Sequence, residues 1–375
     1  MEDRDSGFRT TRRTFLAMAG AMGLGAFLSL RAPEVIAAID ASETRIVWLR
    51  GLGCGGCTSS FLNGGNPDIL AAIDKLKISI DYQETLMQQA GITVDGVAVN
   101  STSYNANVAL KDLIANEKYI LVVEGAIPDG PNNSGKYCTV AGQPFRDVFA
   151  AAAENAQSIL ALGTCASFGG LSRLQKDADA RGVAYTGTSR LNSTLSRIGL
   201  DARVVNVPGC PAHPDWAILT LADLLAGNEI AIGLYNRPQV FFGSAVHDSC
   251  VHRGDYDSDQ RDNEFGAGHC LYNLGCKGPL AFADCPSRRW NSGMSMCTQA
   301  GGPCIACAEP EFPNAFMPFF KTAESKDILA GVDVDTGAKI LLGAAVAGVG
   351  IHAVKRLAIG ESGRSDKEEK RRGKR

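Results

Sequence analysis

The chain has 375 residues, of which 45% are hydrophobic and 21% charged, proportions that are ordinary for a globular protein with room for two domains. Its formal net charge is -3 at pH 7, and no basic stripe precedes the C-terminal tail. The positive surface that neutralises phosphates is therefore missing, which excludes nucleic acid as a partner. Twelve cysteines are too few for a disulfide-dense miniature scaffold, and their short spacings beside Pro and Gly favour metal clusters.

The N-terminus has the features of an export signal. Thr11-Arg12-Arg13-Thr14-Phe15-Leu16 opens an apolar run over residues 15–30, and Ala37 and Ala38 are small residues suited to cleavage. This pattern predicts a twin-arginine signal peptide over residues 1–41. Such a signal serves proteins that fold and take up cofactors before export, which would explain thiolate clusters in a compartment that favours disulfides. The alternative is a plain secretory signal with a chance arginine pair.

After the signal, short β-rich apolar segments alternate with segments of helical periodicity. The predicted strands are residues 45–49, 78–80, 119–123, 158–162 and 203–207. The predicted helices are residues 67–76, 108–116, 145–155 and 214–225. The alternation predicts a doubly wound α/β domain over residues 42–232, with a parallel sheet between two layers of helices.

Cysteines follow several of these strands at the point where each strand ends. Cys54 and Cys57 follow the first strand, Cys165 follows another and Cys210 follows a third. Ligands collect at the carboxyl ends of parallel strands, so these sulfurs are expected to meet at one crevice. From residue 233 to residue 325 the pattern changes to frequent Gly, Pro, Asp and Asn with dense cysteines. We predict an irregular domain there, held together by metal clusters.

Three candidate ligand sets emerge from the cysteine spacing. They are Cys54, Cys57, Cys165 and Cys210; then His247, Cys250, Cys270 and Cys276; then Cys285, Cys297, Cys304 and Cys307. Iron-sulfur clusters need thiolates that converge from loops where Gly or Pro lets the backbone approach. Zinc is the alternative for each set, and a redox dithiol is a further alternative for the Cys-x2-Cys pair of the first. In the second set, His252 and His269 are rivals of His247.

The motifs around these residues resemble the successive signatures of nickel-iron hydrogenase small subunits. They are Gly51-Leu52-Gly53-Cys54-Gly55-Gly56-Cys57, Gly163-Thr164-Cys165-Ala166-Ser167, Pro208-Gly209-Cys210-Pro211, His247-Asp248-Ser249-Cys250, Gly275-Cys276-Lys277-Gly278-Pro279, Arg289-Trp290-Asn291 and Pro303-Cys304-Ile305-Ala306-Cys307. The resemblance implies a flavodoxin-like first domain and an electron-transferring subunit. It also implies a large subunit that carries the nickel-iron centre where hydrogen is split.

By that resemblance the three sets hold three clusters. The first set would hold a proximal 4Fe-4S cluster nearest the nickel-iron centre, and the second a distal 4Fe-4S cluster near the surface. Cys285, Cys304 and Cys307 would belong to a medial cluster between them. No residue of this chain would perform the bond-breaking step.

Two positions depart from common patterns of the family. Many relatives have a medial 3Fe-4S cluster with Pro at the position of Cys297, so the extra thiolate predicts a medial 4Fe-4S cluster with a lower potential. The alternative is a free Cys297 beside a three-iron cluster. Oxygen-tolerant relatives use two additional cysteines at the proximal cluster; Cys138 matches one, but Gly56 stands at the other. We therefore expect an ordinary proximal cubane and an inert buried Cys138. The alternative is a modulating role of Cys138 at that cluster.

The C-terminus has the pattern of a membrane anchor. Residues 340–354 form an apolar stretch between Lys339 and the basic pair Lys355 and Arg356, and residues 367–375 are rich in Lys and Arg. These features predict an anchor and tail over residues 326–375, with the tail cytoplasmic and the body on the periplasmic side. The alternative is a buried amphipathic helix. Membrane-bound relatives use this segment to contact a cytochrome b, which implies electron delivery to quinone.

Two other classes of protein remain open from the residues alone. An electron-transfer subunit of a respiratory complex shares the proximal motif but does not require the second and third ligand sets. A secreted zinc or disulfide domain that binds a partner would be colourless. The number of iron atoms bound discriminates among these classes.

Overall fold

The computed structural model describes residues 45–65, 80–87, 93–94, 97–98, 103–316 and 318–320. The chain divides into two compact units, Met1–Thr322 and Ala323–Arg375, and every described residue lies in the first. The predicted export signal, the predicted helix over residues 67–76 and the predicted C-terminal anchor lie outside the described residues. The predicted boundary between residues 232 and 233 stays a prediction.

Five strands form one parallel sheet. They are β1 (Arg45–Arg50), β2 (Ile80–Gln83), β3 (Tyr119–Glu124), β4 (Ser158–Leu162) and β5 (Val204–Val207), and all but β2 are mainly buried and apolar. Their order across the sheet is β5-β4-β3-β1-β2, and every neighbouring pair is parallel. This is the order of flavodoxin-like domains, in which ligands bind where the order reverses, here between β1 and β3. The predicted fold class is confirmed.

Helices connect the strands and continue into the second half of the described chain. They are α1 (Gly56–Leu62), α2 (Ala106–Asn116), α3 (Phe145–Asn155), α4 (Gly163–Phe168), α5 (Thr194–Ile198), α6 (Pro214–Leu225), α7 (Gln239–Phe242), α8 (Arg253–Asp257) and α9 (Cys285–Arg288). The bounds of α3 and α6 are those predicted. Helix α2 begins at Ala106 rather than Val108 because the Asn105 side chain caps it, accepting from the backbone N–H groups of Asn107 and Val108.

The remaining elements are short. Two-stranded ribbons pair Thr93–Val94 with Val97–Ala98, Ile127–Pro128 with Ala180–Arg181, and Thr139–Val140 with Gln143–Pro144. Single 3-10 turns cover Leu171–Leu174, Lys176–Ala178, Leu234–Asn236, Val246–Ser249, Tyr272–Leu274, Gly278–Leu280 and Asn314–Phe316. Among the described residues, no helix is both long enough and apolar enough to cross a membrane.

The sheet separates two apolar cores, because successive side chains of a strand point to opposite faces. Ile46 and Trp48 of β1 pack on one face with residues of α1 and α6. Val47 and Leu49 pack on the other face with residues of α2 and α3. The doubly wound layering therefore follows directly from the continuous apolar composition of the strands.

The cysteine-dense segment has apolar residues of its own in the first of these cores. Phe241 and Phe242 belong to it, together with Ala281, Ala283 and Ala306. The ring of Phe242 lies 4.9 Å from that of Trp216 on α6, centroid to centroid. Packing against the sheet domain thus stabilises a segment whose sequence shows poor periodicity.

Candidate metal-cluster sites

All twelve cysteines lie among the described residues, and none forms a disulfide. Within the same residues, no group of three or more His, Cys, Asp or Glu side chains is placed to hold a single metal ion. The surroundings of each sulfur, set by set, therefore decide which of the predicted ligands come together.

The first set meets at the carboxyl edge of the sheet. Cys57 lies in α1 directly after β1, Cys165 lies in α4 directly after β4, and Cys210 follows β5. A Cβ atom placed on Gly163 would lie 2.4 Å from the Cys57 sulfur, and one on Gly170 would lie 2.7 Å from the Cys165 sulfur. Because glycine has no Cβ, the backbone at these two positions can approach the sulfurs closely, as the backbone around an iron-sulfur cluster must.

Backbone N–H groups donate to sulfurs of all three sets. The amide of Gly56 donates to Cys54 Sγ at 3.3 Å. The pKa of the Cys57 thiol, raised mainly by burial, is lowered in part by a hydrogen bond from the backbone of Ala212, and Leu171 acts in the same way on Cys165. Donors aimed at sulfur stabilise a thiolate and tune a bound iron-sulfur cluster.

In the absence of a bound cation, the buried thiols do not readily lose their protons to become thiolates. Burial, reinforced by the neighbouring sulfurs of Cys210 and Cys54, raises the pKa of Cys165 to about 12. Burial also raises the pKa of Cys307 to about 12. Several sulfurs packed away from water ionise together only when a metal group compensates their charge. The donor chemistry of these residues therefore fits iron-sulfur clusters.

The second set lines one cavity that is partly open to solvent. Its walls include all four predicted side chains, His247, Cys250, Cys270 and Cys276. The His247 ring packs edge-on against Tyr256, with centroids 4.6 Å apart. One rival, His252, also lines the cavity, but its Nδ1 pairs with Asp255 at 2.9 Å.

The other rival histidine, His269, is absent from the walls of this cavity. Its Nδ1 lies 3.2 Å from the Asp262 carboxylate, which also accepts the His269 backbone N–H. The structure therefore groups His247 and His252 with the three sulfurs but not His269.

The third set gathers between α9 and the loop that ends at Cys307. Burial raises the pKa of Cys285, and the nearby sulfurs of Cys307 and Cys297 add to this rise. The Trp290 side chain donates a hydrogen bond to Cys285, an effect in the opposite direction. The additional thiol, Cys297, therefore lies close enough for its charge to raise the pKa of Cys285 and of Cys307.

Hydrogen bonds connect the three sets in the order first, third, second. The backbone of Cys210, in the first set, donates a hydrogen bond to the sulfur of Cys307, in the third. The backbone N–H of Cys304, also in the third, donates to Cys276 Sγ of the second at 3.4 Å. The Thr164 hydroxyl further ties the first set to the third by donating to the Cys307 carbonyl. The third set thus connects the other two.

Cys138 lies apart from the three sets. It packs partly buried against the core on the α2 and α3 face. Burial raises its pKa to about 11, and the charge of Glu84 adds to this while that of Arg50 opposes it.

The sequence analysis missed Glu124, the last residue of β3. Its carboxylate is 3% exposed and accepts the backbone N–H groups of Cys57 and Thr58 at 3.0 and 3.1 Å. A single Glu within a strand has no spacing signal. Only its place at the reversal between β1 and β3 could have marked it.

Two family models match the chain. The model for the C-terminal region of NiFe/NiFeSe hydrogenase small subunits matches residues 242–320. The model for the 20 Kd subunit of NADH ubiquinone oxidoreductase matches residues 54–224. The two matches cover the cysteine-dense segment and the sheet domain, respectively.

Curated relatives match nearly the whole chain. The F420 non-reducing hydrogenase I small subunit of Methanosarcina mazei is 46% identical over 93% of this chain and 94% of its own length. The Hydrogenase-1 small chain of Escherichia coli K12 is 32% identical over 92% and 88%. The Periplasmic [NiFe] hydrogenase small subunit 1 of Nitratidesulfovibrio vulgaris is 34% identical over 86% and 96%.

A solved structure shares the architecture. In the [NiFeSe]-hydrogenase of Desulfomicrobium baculatum, the matching chain is 29% identical, with a TM-score of 0.64, over 76% of this chain and 100% of its own. Fold, sulfur groups and relatives together define an iron-sulfur electron-transfer subunit of an oxidoreductase that acts on H2. The chain belongs to the small subunits of nickel-iron hydrogenases, which pair with a large subunit.

Proposed function

We propose that this chain carries electrons from H2 oxidation in the large subunit, through three iron-sulfur clusters, to a membrane cytochrome b and quinone. Cys54, Cys57, Cys165 and Cys210 would hold the proximal 4Fe-4S cluster. His247, Cys250, Cys270 and Cys276 would hold the distal one. Cys285, Cys297, Cys304 and Cys307 would hold a medial 4Fe-4S cluster. When bound, such clusters accept and release single electrons at potentials set by their ligands and surroundings.

The observation that carries the proposal is that hydrogen bonds connect the first set to the third, and the third to the second. The hydrogen bond from the Cys210 backbone to Cys307 Sγ and that from the Cys304 N–H to Cys276 Sγ join neighbouring sets directly. Adjacent ligand sets that share hydrogen bonds give a short covalent and hydrogen-bonded path between neighbouring centres. This supports an order in which the medial set lies between the proximal and distal ones.

The protein's own contribution is to hold and tune the sulfurs. Backbone donors and bare glycine backbone surround the first set, and the second set lines a cavity that is partly open to solvent. An opening beside the distal set supports electron exit there to a partner protein. His247 supplies the one nitrogen ligand, on the side where Tyr256 packs.

Replacement of His247 by Ala tests this direction of electron flow. We expect H2-dependent reduction of an external acceptor to fall at least about tenfold, on the scale of 10–100-fold for a disturbed metal site. Hydrogen-isotope exchange, which needs only the large subunit, should stay within about twofold. His269→Ala is the matched control, since His269 is absent from the cavity. Equal loss of both activities in His247→Ala would contradict the proposed role.

Replacement of Cys297 by Ala tests the nature of the medial cluster. With the fourth thiolate gone, we expect one iron to be lost and the medial potential to rise, because the type of cluster is one of the factors that set its potential. EPR of the oxidised heterodimer should then show a three-iron signal that the unmodified protein lacks. A three-iron signal of equal intensity in both proteins would mean that Cys297 is not a ligand.

The same proposal includes location. The chain would be exported folded through its twin-arginine signal at residues 1–41, and residues 326–375 would anchor it with a cytoplasmic tail. The sheet domain would cover residues 42–232 and the cluster domain residues 233–325. Support comes from the residue patterns at both ends of the chain and from a relative that is named as a periplasmic hydrogenase subunit.

A further inference from the structure

We propose that Glu124 is the positioning residue of the proximal cluster. It would hold the backbone of the Cys54–Cys57 loop in place, and its buried charge would lower the cluster's reduction potential. The inference rests on the proposed proximal ligand set. It assigns a role to a side chain that belongs to none of the three sets.

Glu124 lies where the strand order reverses, opposite Arg50 in the parallel register of β1 and β3. Its Oε1 accepts the N–H groups of Cys57 at 3.0 Å and Thr58 at 3.1 Å. Its Oε2 accepts the Trp48 indole N–H at 3.3 Å and the Thr58 hydroxyl. Four donors from two segments therefore converge on one carboxylate.

These contacts replace a helix cap. The N-cap of α1 is Gly55, which has a left-handed backbone with φ of 77° and offers no side chain. The first N–H groups of a helix have no partner within the helix. Glu124 accepts two of them from the neighbouring strand, and one belongs to the ligand Cys57. The position of that ligand is thus fixed by β3 rather than by its own loop.

A further hydrogen bond, between Thr58 and Gln83, connects this group of contacts to β2. The Thr58 hydroxyl, which donates to Glu124, accepts from Gln83 Nε2 at 3.2 Å. Gln83 is 2% exposed and ends β2. The loop is therefore held against the ends of two strands on either side of β1.

Three of the four groups that face the Glu124 side chain, the N–H groups of Trp48, Cys57 and Thr58, can only donate, and such a set of donors suits an anionic carboxylate. Across the part of the chain that the structure describes, no Lys, Arg or His lies within ion-pair distance of it. A buried anion without a cationic partner has a long-range field.

That field reaches the sulfurs of the first set. The charge of Glu124 contributes to the raised pKa of Cys57 and of Cys165, after the larger effect of burial. Reduction adds a negative charge to a cluster, so the same charge disfavours reduction. Removal of the charge should make the proximal cluster easier to reduce.

The test is Glu124→Gln in the complete heterodimer, purified anaerobically and followed by EPR during a redox titration. At the midpoint potential of the unmodified proximal cluster, we expect the ratio of reduced to oxidised cluster to rise about tenfold, or about 59 mV for a one-electron couple. Iron release from this cluster to a chelator should also be faster, because the amide donates where the carboxylate accepted. Glu154→Gln, an exposed position on α3, is the control and should change neither.

Thr58→Val supplies the second arm, including the case in which Glu124→Gln fails to assemble. It removes one donor and keeps the carboxylate, so the less compensated charge should shift the ratio toward the oxidised cluster. Unchanged ratios in the variants, or shifts in the same direction, would overturn the inference while leaving the proposed function intact. Lack of a proximal signal in the unmodified protein would instead overturn the proposed ligand set.

Discussion

At the residue scale, His213 shows how a neutral histidine stabilises the region next to Cys210, a predicted ligand. It is 3% exposed, and its Nδ1 accepts the backbone N–H of Asp215 at 3.1 Å, which caps α6. Its Nε2 lies 2.6 Å from the Arg289 carbonyl, so Nε2 carries the proton in this tautomer. Burial lowers the pKa of His213 to about 4, against a smaller opposing effect of the Arg289 carbonyl.

This lowered pKa predicts a loss of stability in mild acid. Between pH 6.5 and pH 4 the unfolded chain binds a proton on His213 that the folded chain does not, so stability falls as the pH falls through this window. From pH 6.5 to pH 4.5 the loss is about 2 kcal/mol, which is less than about 1.36 kcal/mol for each pH unit because the unfolded chain is only half-protonated at pH 6.5. Hydrogen exchange of the α6 amides reports this local opening.

His213→Asn is the matched variant, because Asn caps a helix without titrating. Its α6 amides should lose less protection between pH 6.5 and pH 4.5 than those of the unmodified protein. Parallel pH profiles for the two proteins would contradict the assignment of this acid sensitivity to His213.

The sequence was informative for residues that lie in motifs and uninformative for those that support them. Cys54, Cys57 and the other cysteines have spacings that by themselves indicate metal chemistry. Glu124 contacts Thr58 across a separation of 66 residues, and no local pattern encodes that meeting. Tertiary contacts of this kind depend on the strand order, which a single sequence predicts only as a class.

At the element scale, a buried ion pair joins the turn before α7 to the loop of the third set. Arg237 Nη1 donates to Glu309 Oε1 at 3.0 Å and to the carbonyl of Ala308 at 3.3 Å. Glu309 Oε1 also accepts the backbone N–H of Phe282 at 2.7 Å. Both charged side chains are buried, at 4% and 7% exposure. The pair therefore fixes the backbone directly after Cys307.

Removal of one partner should loosen this loop. Glu309→Leu leaves the Arg237 charge buried and unpaired, which costs about 3–5 kcal/mol. We expect faster iron release from the medial cluster, measured by EPR after addition of a chelator. The double variant Arg237→Met with Glu309→Leu should recover most of the lost stability, since an apolar pair of similar volume removes the unpaired charge.

The control for this experiment is an exposed ion pair. Arg253 and Asp257 pair at 3.0 Å on the surface of α8, and Asp257→Asn should cost less than about 0.5 kcal/mol. Equal effects of Glu309→Leu and Asp257→Asn on iron release would show that the buried pair does not hold the medial loop.

Long elements were predictable and short ones were not. The bounds of α3 and α6 follow from their periodicity, and four of the five strands follow from continuous apolar runs. Strand β2 alternates Ile and Tyr with Asp and Gln and shares only Ile80 with the strand predicted over residues 78–80. Helices α1 and α4 were not among the predicted helices, because each is short and begins with Gly beside a cysteine. The apolar residues of the cysteine-dense segment, such as Phe241 and Phe242, have no period, and only their packing against Trp216 defines their place.

At the scale of the whole molecule, the parallel sheet and the irregular segment each hold part of the predicted electron carrier. The parallel sheet brings the first set together at its carboxyl edge, and the irregular segment packs the other two sets beyond it through shared core residues. Hydrogen bonds between neighbouring sets then link the three groups of predicted ligands in sequence.

The most direct test of this account is the acid-labile sulfide and iron content of the anaerobically purified heterodimer. Sulfide belongs only to the iron-sulfur clusters of this chain, so it separates them from the metals of its large partner. Three 4Fe-4S clusters predict about twelve sulfide and about twelve cluster iron atoms for each heterodimer. Protein without sulfide and iron in this chain would contradict the account.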